Sequence, residues 1–333
     1  MDHIDHKSSR DRTPVLRKLI SVMSTLVALC VFSACAVGQG SAVEISGNDS
    51  VKIGVIPAIA FAPVYIAIEQ GYFEDENINV ETQEMQNAAA IAPAVINGQL
   101  QFGTAATSPI VAAQVEGLPL VAVAGMSENS ETSNDGAIVV DENSTIDSPR
   151  DLEGATVAIN GVATLPHVAL QEAISKDGGD PTKTDFVVMG FPEMPGALAE
   201  GRVDAAALTE PFTSAALGNG GKILTRAYFD AFMDNAPISM LFTATPFVEN
   251  NPEVVNGVQR AIDRAVEDAL HDPELVAEVM TKHGGIDPDA FDTMVLPPYQ
   301  AQIHAEGLTQ ISEVMVQYGY ISEPLDGHGM VLP

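Results

Sequence analysis

Glu210 is the carboxylate best placed to do chemistry, two residues after an apolar run in "VDAAALTEPF". A carboxylate at such a point can receive a ligand ammonium or a ring N–H, or it can accept bonds from neighbouring backbone N–H groups. Phe61 and Tyr65 flank Pro63 in "AFAPVY". They offer either an aromatic wall for a planar ligand or packing for the first helix. Thr104, Thr107 and Ser108, in "GTAATSP", carry hydroxyls beside a helix start, where ligand contact and capping are both open. His167 can donate to a ligand or sit satisfied in a core. Glu128 and Asn129 add a carboxylate and an amide after "LPLVAVAGM". No Ser-His-Asp order, paired-carboxylate spacing, HExxH or glycine-rich phosphate loop accompanies them. Binding without turnover is the expected chemistry, with no catalytic residue, cofactor or metal.

The surrounding pattern shows how such residues would be held. VKIGVI (51–56) is a compact β-branched run, and a helical pattern from Pro63 stops at Gly71. INVETQEM (78–85) alternates as a strand, "AAAIAPAVINGQ" is helical to Gly98, and LQFGTA (100–105) is strand-like again. A second stretch restarts the rhythm with strands in GAIVVDE (136–142), ATVAING (155–161), DFVVMGF (185–191) and VDAAAL (203–208), and with a short one in GKILTRAYF (221–229). A helix spans about Pro166 to Lys176. ISMLFTATPFV (238–248) can return the chain to the first unit, and helical spacing dominates from Asn251 onward. Strands alternating with helices predict mainly parallel sheets covered on both faces. In open sheets of this kind a ligand sits outside the C-terminal strand ends. That rule selects four loops, Ala58–Pro63, Thr104–Ser108, Gly161–His167 and Thr209–Phe212, and none of them holds a Lys or Arg.

Both cysteines, Cys30 and Cys35, lie in "LVALCVFSACAVGQG". A basic lead precedes an apolar run from about Leu19 to Ala34, shorter than the roughly 20 residues of a bilayer-spanning helix. Charged start, short apolar run and the small pair Ser33-Ala34 describe a secretory signal. A cysteine directly after that pair resembles the bacterial lipobox, with Phe32 where Leu is usual. The resemblance implies that Cys35 becomes a lipidated first mature residue. An ordinary signal peptide and an uncleaved anchor are the alternatives. With Cys35 acylated, no thiol is left for disulfides, zinc or nucleophilic attack. The first 34 residues carry five bases and three acids, so their removal moves the formal charge from −30 to −32. Such a charge argues against DNA, RNA or anionic lipid as partners and suits a solvated surface in saline surroundings. Residues 36–50 are small and polar, as in a flexible tether.

Four phrases in order, "GVIPAIAFAPVYIAIEQGYFEDENINVE", "INGQLQFGTAATSP", "SPRDLEGATVAI" and "ALAEGRVDAAALTEPF", resemble the solute-binding proteins of the SsuA/THI5-like (NMT1) family, whose members serve nitrate, sulfonates, taurine and thiamine precursors. The resemblance runs from about Val51 to the C-terminal helices. It implies an α/β type II periplasmic-binding-protein fold, two lobes joined by two crossing strands (Ala137–Val140 and Met240–Thr245) with a ligand cleft between them. The implied organisation is a signal peptide at 1–34, a tether at 35–50, a first lobe from 51–136 and 241–333, and a second lobe at 137–240. The lobes would close on a small molecule and deliver it to an ABC permease and its ATPase. The protein would act as a monomer, lipid-anchored on the outer face of the cell membrane. "GVATLPHVAL" is similar to the family's second-lobe helix entry and brings in Thr164, although Val162-Ala163-Thr164 replaces the commoner Gly-Ser opening. Loops without a base, together with Glu210 and Phe61, lean toward a neutral or cationic, aromatic ligand such as a thiamine-pyrimidine precursor. A sulfonate, taurine or nitrate held by helix N-termini is the alternative. Two other classes stay open: a sensing partner for a membrane receptor, and a thiamine-pyrimidine synthase, whose cysteine-rich motif has no counterpart after Cys35.

Overall fold

A computed structural model describes residues 50–85 and 87–332. The expectations for Cys35, for the signal segment and for the tether up to residue 49 lie outside the described residues. Ten strands are described: β1 (Val51–Val55), β2 (Val80–Glu84), β3 (Phe102–Ala106), β4 (Leu120–Glu128), β5 (Ala137–Asp141), β6 (Thr156–Ile159), β7 (Asp185–Val188), β8 (Ala205–Leu208), β9 (Gly221–Arg226) and β10 (Pro237–Ala244). The helices are α1 (Ala62–Glu69), α2 (Tyr72–Asp75), α3 (Ala88–Ile96), α4 (Thr107–Val115), α5 (Leu165–Lys176), α6 (Met194–Ala199), α7 (Phe212–Gly218), α8 (Ala227–Ala231), α9 (Thr245–Asn250), α10 (Pro252–His271), α11 (Pro273–Lys282) and α12 (Ala305–Gln317). No helix among the described residues is long and apolar enough to cross a membrane.

The strands form two five-stranded sheets, β2-β1-β3-β10-β4 and β7-β6-β8-β5-β9. Their orders are the same once β6 to β9 are matched to β1 to β4, so one topology is built twice. β1 pairs in parallel with β2 and β3, and β6 with β7 and β8. Parallel neighbours need a covering crossover, which the intervening helices supply. One strand in each sheet runs the other way: β10 is antiparallel to β3 and β4, and β5 to β8 and β9. The expected crossing strands fall on these two, and each is bonded within a single sheet. The passage between sheets lies just before each of them, at 129–136 and 227–236.

Burial explains why these runs were readable. β8 and β10 are buried at every position, and so are the first four residues of β5. Strands covered on both faces read as continuous apolar stretches. β2 and β7 form outer edges and carry the polar residues Glu81, Thr82 and Asp185. Inside the first sheet, Gly103 lets Ile91 and Phe242 meet over the strand. A Cβ there would stand 2.2 Å from one and 2.8 Å from the other.

Candidate functional site

The registers set the geometry of the site. Ala137, the first residue of β5, lies opposite Leu208 and Arg226, the last residues of β8 and β9. In the first sheet, Pro237 and Ser239 at the start of β10 lie opposite Glu128 and Ala106, at the ends of β4 and β3. Both crossings therefore enter their sheets at the C-terminal edge of the parallel strands. This is the edge that general topology assigns to ligands.

On the first edge most hydroxyls are spent on the fold. Thr104 Oγ1 accepts the Ile56 N–H at 3.1 Å, tying the end of β3 to the loop after β1. Thr107 Oγ1 donates to the Pro237 carbonyl at 2.5 Å, which fastens the start of α4 to the returning chain. Ser127 and Ser239 share a hydrogen bond of 2.6 Å, and Tyr299 donates to the Ile59 carbonyl at 2.8 Å. Ser108 differs: its Oγ is fully buried in the first turn of α4 and has no partner. Phe61 ends the short turn Ile59–Phe61 and is buried in the core. Tyr65 is also buried, with its ring stacked on His283 at 4.9 Å and 4°. Its hydroxyl has no partner and is pushed up to about 12, first by burial and then by the charge of Glu84.

The second edge is a network of charges. Glu210 Oε1 accepts from Ser214 Oγ at 2.9 Å and from Asn134 Nδ2 and the Val295 N–H at 3.4 Å. Oε2 takes the Ser214 N–H at 3.1 Å. Its carboxylate is thus among protein donors. The Glu210 N–H in turn donates to Asp135 Oδ1 at 3.1 Å. Burial pushes the Asp135 carboxyl up to about 6, opposed by that N–H and helped by the Glu210 charge. Arg226 Nη2 donates to Asn134 Oδ1 at 3.4 Å, while its Nε is buried without a partner. Ser214 Oγ also stands 3.2 Å from the Thr293 carbonyl, so the Glu210 cluster meets the C-terminal segment at both Thr293 and Val295. Thr164 Oγ1 lies 2.8 Å from both Asn160 Oδ1 and the Gly161 carbonyl. His167 is buried with Phe186 edge-on at 4.6 Å. Its Nδ1 accepts the Ala163 N–H at 3.2 Å. Burial pushes this imidazole down to about 4.

The two residues at the first crossing have different surroundings. Asn129 Nδ2 faces the carbonyls of Tyr228, Phe232 and Met233, and its backbone exchanges bonds with Asn235 and Ala236. It thereby laces the two crossings together. Glu128 ends β4 with Oε2 buried and unpartnered. Desolvation raises its carboxyl, His304 opposes the rise and Asp234 adds to it. Gly136, the last residue of the first crossing, adopts φ +71°, and a Cβ there would lie 2.4 Å from the Tyr228 ring on the second. A shallow hollow of about 390 Å³, between Val115–Glu116 and Gly319–Ser322, shares no residue with either edge. It sits at the far end of α4, about 12 Å from Ser108 along the helix axis.

Asn134, Asp135, Ser214, Arg226 and Tyr299 belong to this arrangement and are absent from the sequence-based set. Arg226 had a legible signal: it ends the strand GKILTR, and the strand-end rule applies to it as to the four selected loops. Asn134, Asp135 and Tyr299 have none, because the partners that bring them in lie 75 or more residues away, and Ser214 enters only through Glu210, four residues before it. Among the described residues no group of three His, Cys, Asp or Glu side chains could hold a metal ion.

Residues 58–276 match the family model described as NMT1/THI5 like. The formylaminopyrimidine-binding protein of Halalkalibacterium halodurans is 25% identical over 188 residues, 56% of this chain and 55% of that relative, so little more than half of it is spanned. The taurine-binding periplasmic protein of Escherichia coli is 25% identical over 257 residues, 77% of this chain and 75% of the relative. Among solved structures, the aliphatic sulphonate binding protein SsuA of Escherichia coli superposes with a TM-score of 0.72. It has 22% identity and covers 85% of this chain and 97% of the other.

Proposed function

This chain belongs to the NMT1/THI5-like family, and from that premise we propose that it captures a small solute between the two strand-end edges, without chemical turnover. It then hands the solute to an ABC permease and its ATPase. The observation that carries this reading is the link from the second edge to the C-terminal segment, the Val295 N–H donating to Glu210 and Ser214 Oγ 3.2 Å from the Thr293 carbonyl, on the segment whose Tyr299 bonds Ile59 beside the first edge. Rotation about the crossings at 129–136 and 227–236 would make and break these contacts together. A ligand touching both edges favours the closed form by its differential affinity. The same reading has the protein work outside the cytoplasm as a monomer, held to the membrane by lipid on Cys35.

Two unpartnered groups, Ser108 Oγ and Arg226 Nε, support a ligand with an oxygen-rich head group such as a sulfonate. Glu210, which would have favoured a cation, already accepts four protein donors. The pyrimidine reading draws on Phe61 and Glu210 and forms the second arm of the test. Taurine, an alkanesulfonate, formylaminopyrimidine and riboflavin are screened by thermal shift and then by calorimetry. A true ligand at a hundred times its Kd stabilises the fold by about 2.7 kcal/mol. Arg226→Gln should weaken a sulfonate about tenfold and leave a pyrimidine unaffected. If none of the four compounds binds, both ligand classes fall, and conversion of a bound compound would overturn capture without turnover.

A further inference from the structure

The end of α12 reaches across to α5, the helix that starts at the second edge. Gly319, at φ +74°, closes α12 with two bonds, Gly319 N–H to Val316 O and Tyr320 N–H to Met315 O. This pairing is a Schellman turn, which fixes where the next side chains point. Gln317 Nε2 and Tyr318 Oη both donate to Glu172 Oε2 at 3.0 Å. Tyr320 Oη donates to Gln171 Oε1 at 2.7 Å and stands 3.2 Å from His167 Nδ1. That nitrogen also receives the Ala163 N–H from the edge loop. Ala163 is held at φ +61°, a left-handed conformation that strains a non-glycine residue. Nothing else bonds the Ala163 N–H, so the loop's strained turn is braced by one imidazole, and the Tyr320 ring packs against that imidazole with centroids 5.7 Å apart.

We propose that the turn at 317–320 is a strap that positions the 160–164 edge loop through His167, which acts as a positioning residue. The strap takes its functional meaning from the capture reading, since the loop it holds faces the cleft. Ligand affinity would then depend on Tyr320, a residue that need not touch the ligand.

The test needs no ligand. Hydrogen exchange across 161–167 is measured on the full chain and on Tyr320→Ala, His167→Leu and His167→Asn. Loss of the ring packing in Tyr320→Ala, or of the bracing bond in His167→Leu, should speed exchange there about five- to tenfold, with β1 unchanged. His167→Asn places an amide oxygen near the position of Nδ1 and should restore protection. Unchanged exchange in Tyr320→Ala would overturn the strap. So would His167→Asn behaving like His167→Leu, because the imidazole would then be mere filling. Failure of the ligand screen leaves this readout intact, so the two readings fail separately.

Discussion

The two sheets repeat one topology and furnish it with opposite chemistry. After the first strand of each comes a helix with proline in its first turn and a ring close behind: Pro63 and Tyr65 in α1, Pro166 and His167 in α5. In both units a later part of the chain meets that ring, His283 stacking on Tyr65 and Tyr320 tilting against His167. After the third strand, the first unit presents hydroxyls and the second presents Glu210. The first edge offers hydroxyls, with Thr104 and Thr107 consumed and Ser108 unpartnered, beside the carboxylate of Glu128. The second gathers Asp135, Glu210 and Arg226. Shared topology thus decides where an edge lies, and the side chains decide what it can hold.

That contrast can be broken most strongly at Glu210. Glu210→Ala strips partners from Ser214, Asn134 and the Val295 N–H, so unfolding stability should drop by about 4 kcal/mol in chemical denaturation. A loss below about 1 kcal/mol would mean the network is ornamental. Next is Asp135, whose carboxyl rises from 3.8 to about 6. A raised acid binds protons in the folded state first, so its contribution is full below about pH 4 and is lost as pH climbs toward 6. Asp135→Asn should therefore gain roughly 3 kcal/mol on the parent between pH 4 and 7. His167 has the opposite sign. Its imidazole falls from 6.5 to about 4, so the stability it contributes is present above pH 6.5 and lost as pH falls toward 4. Each single variant should tilt the parent's stability-against-pH curve its own way across that window.

Smaller effects sharpen the picture on the first edge. Thr107→Val leaves the Pro237 carbonyl unpaired and should cost about 1–2 kcal/mol. Ser108→Ala removes a hydroxyl with no partner, so stability should change by less than about 0.5 kcal/mol, while affinity for a sulfonate falls about tenfold. If Ser108→Ala destabilises as much as Thr107→Val, Ser108 is a structural hydroxyl too. Cys35→Ser should release the protein from the membrane fraction, and retention would point to an uncleaved anchor.

Much of the architecture was already legible. β5, β8 and β10 are apolar runs because helices cover both of their faces, and glycines such as Gly71 and Gly98 stand with positive φ where helices end. The four family phrases were visible because strand ends and their loops are local in sequence. What stayed hidden was the use of each polar group. Thr104, Thr107 and Ser108 lie within five residues and look equivalent as text. One accepts a backbone N–H, one donates to a carbonyl 130 residues away, and one is left over. Arg226 entered the site because β5 was inserted between β8 and β9, which set it beside Asn134.

Composition and periodicity alone determined two α/β units, their strand ends and the absence of a nucleophile–base order, because burial and backbone geometry act on neighbouring residues. Tertiary structure alone decided which hydroxyls and carboxylates remain available. A buried polar group is satisfied or orphaned by whatever the fold brings to within hydrogen-bond reach, and no local pattern records that partner.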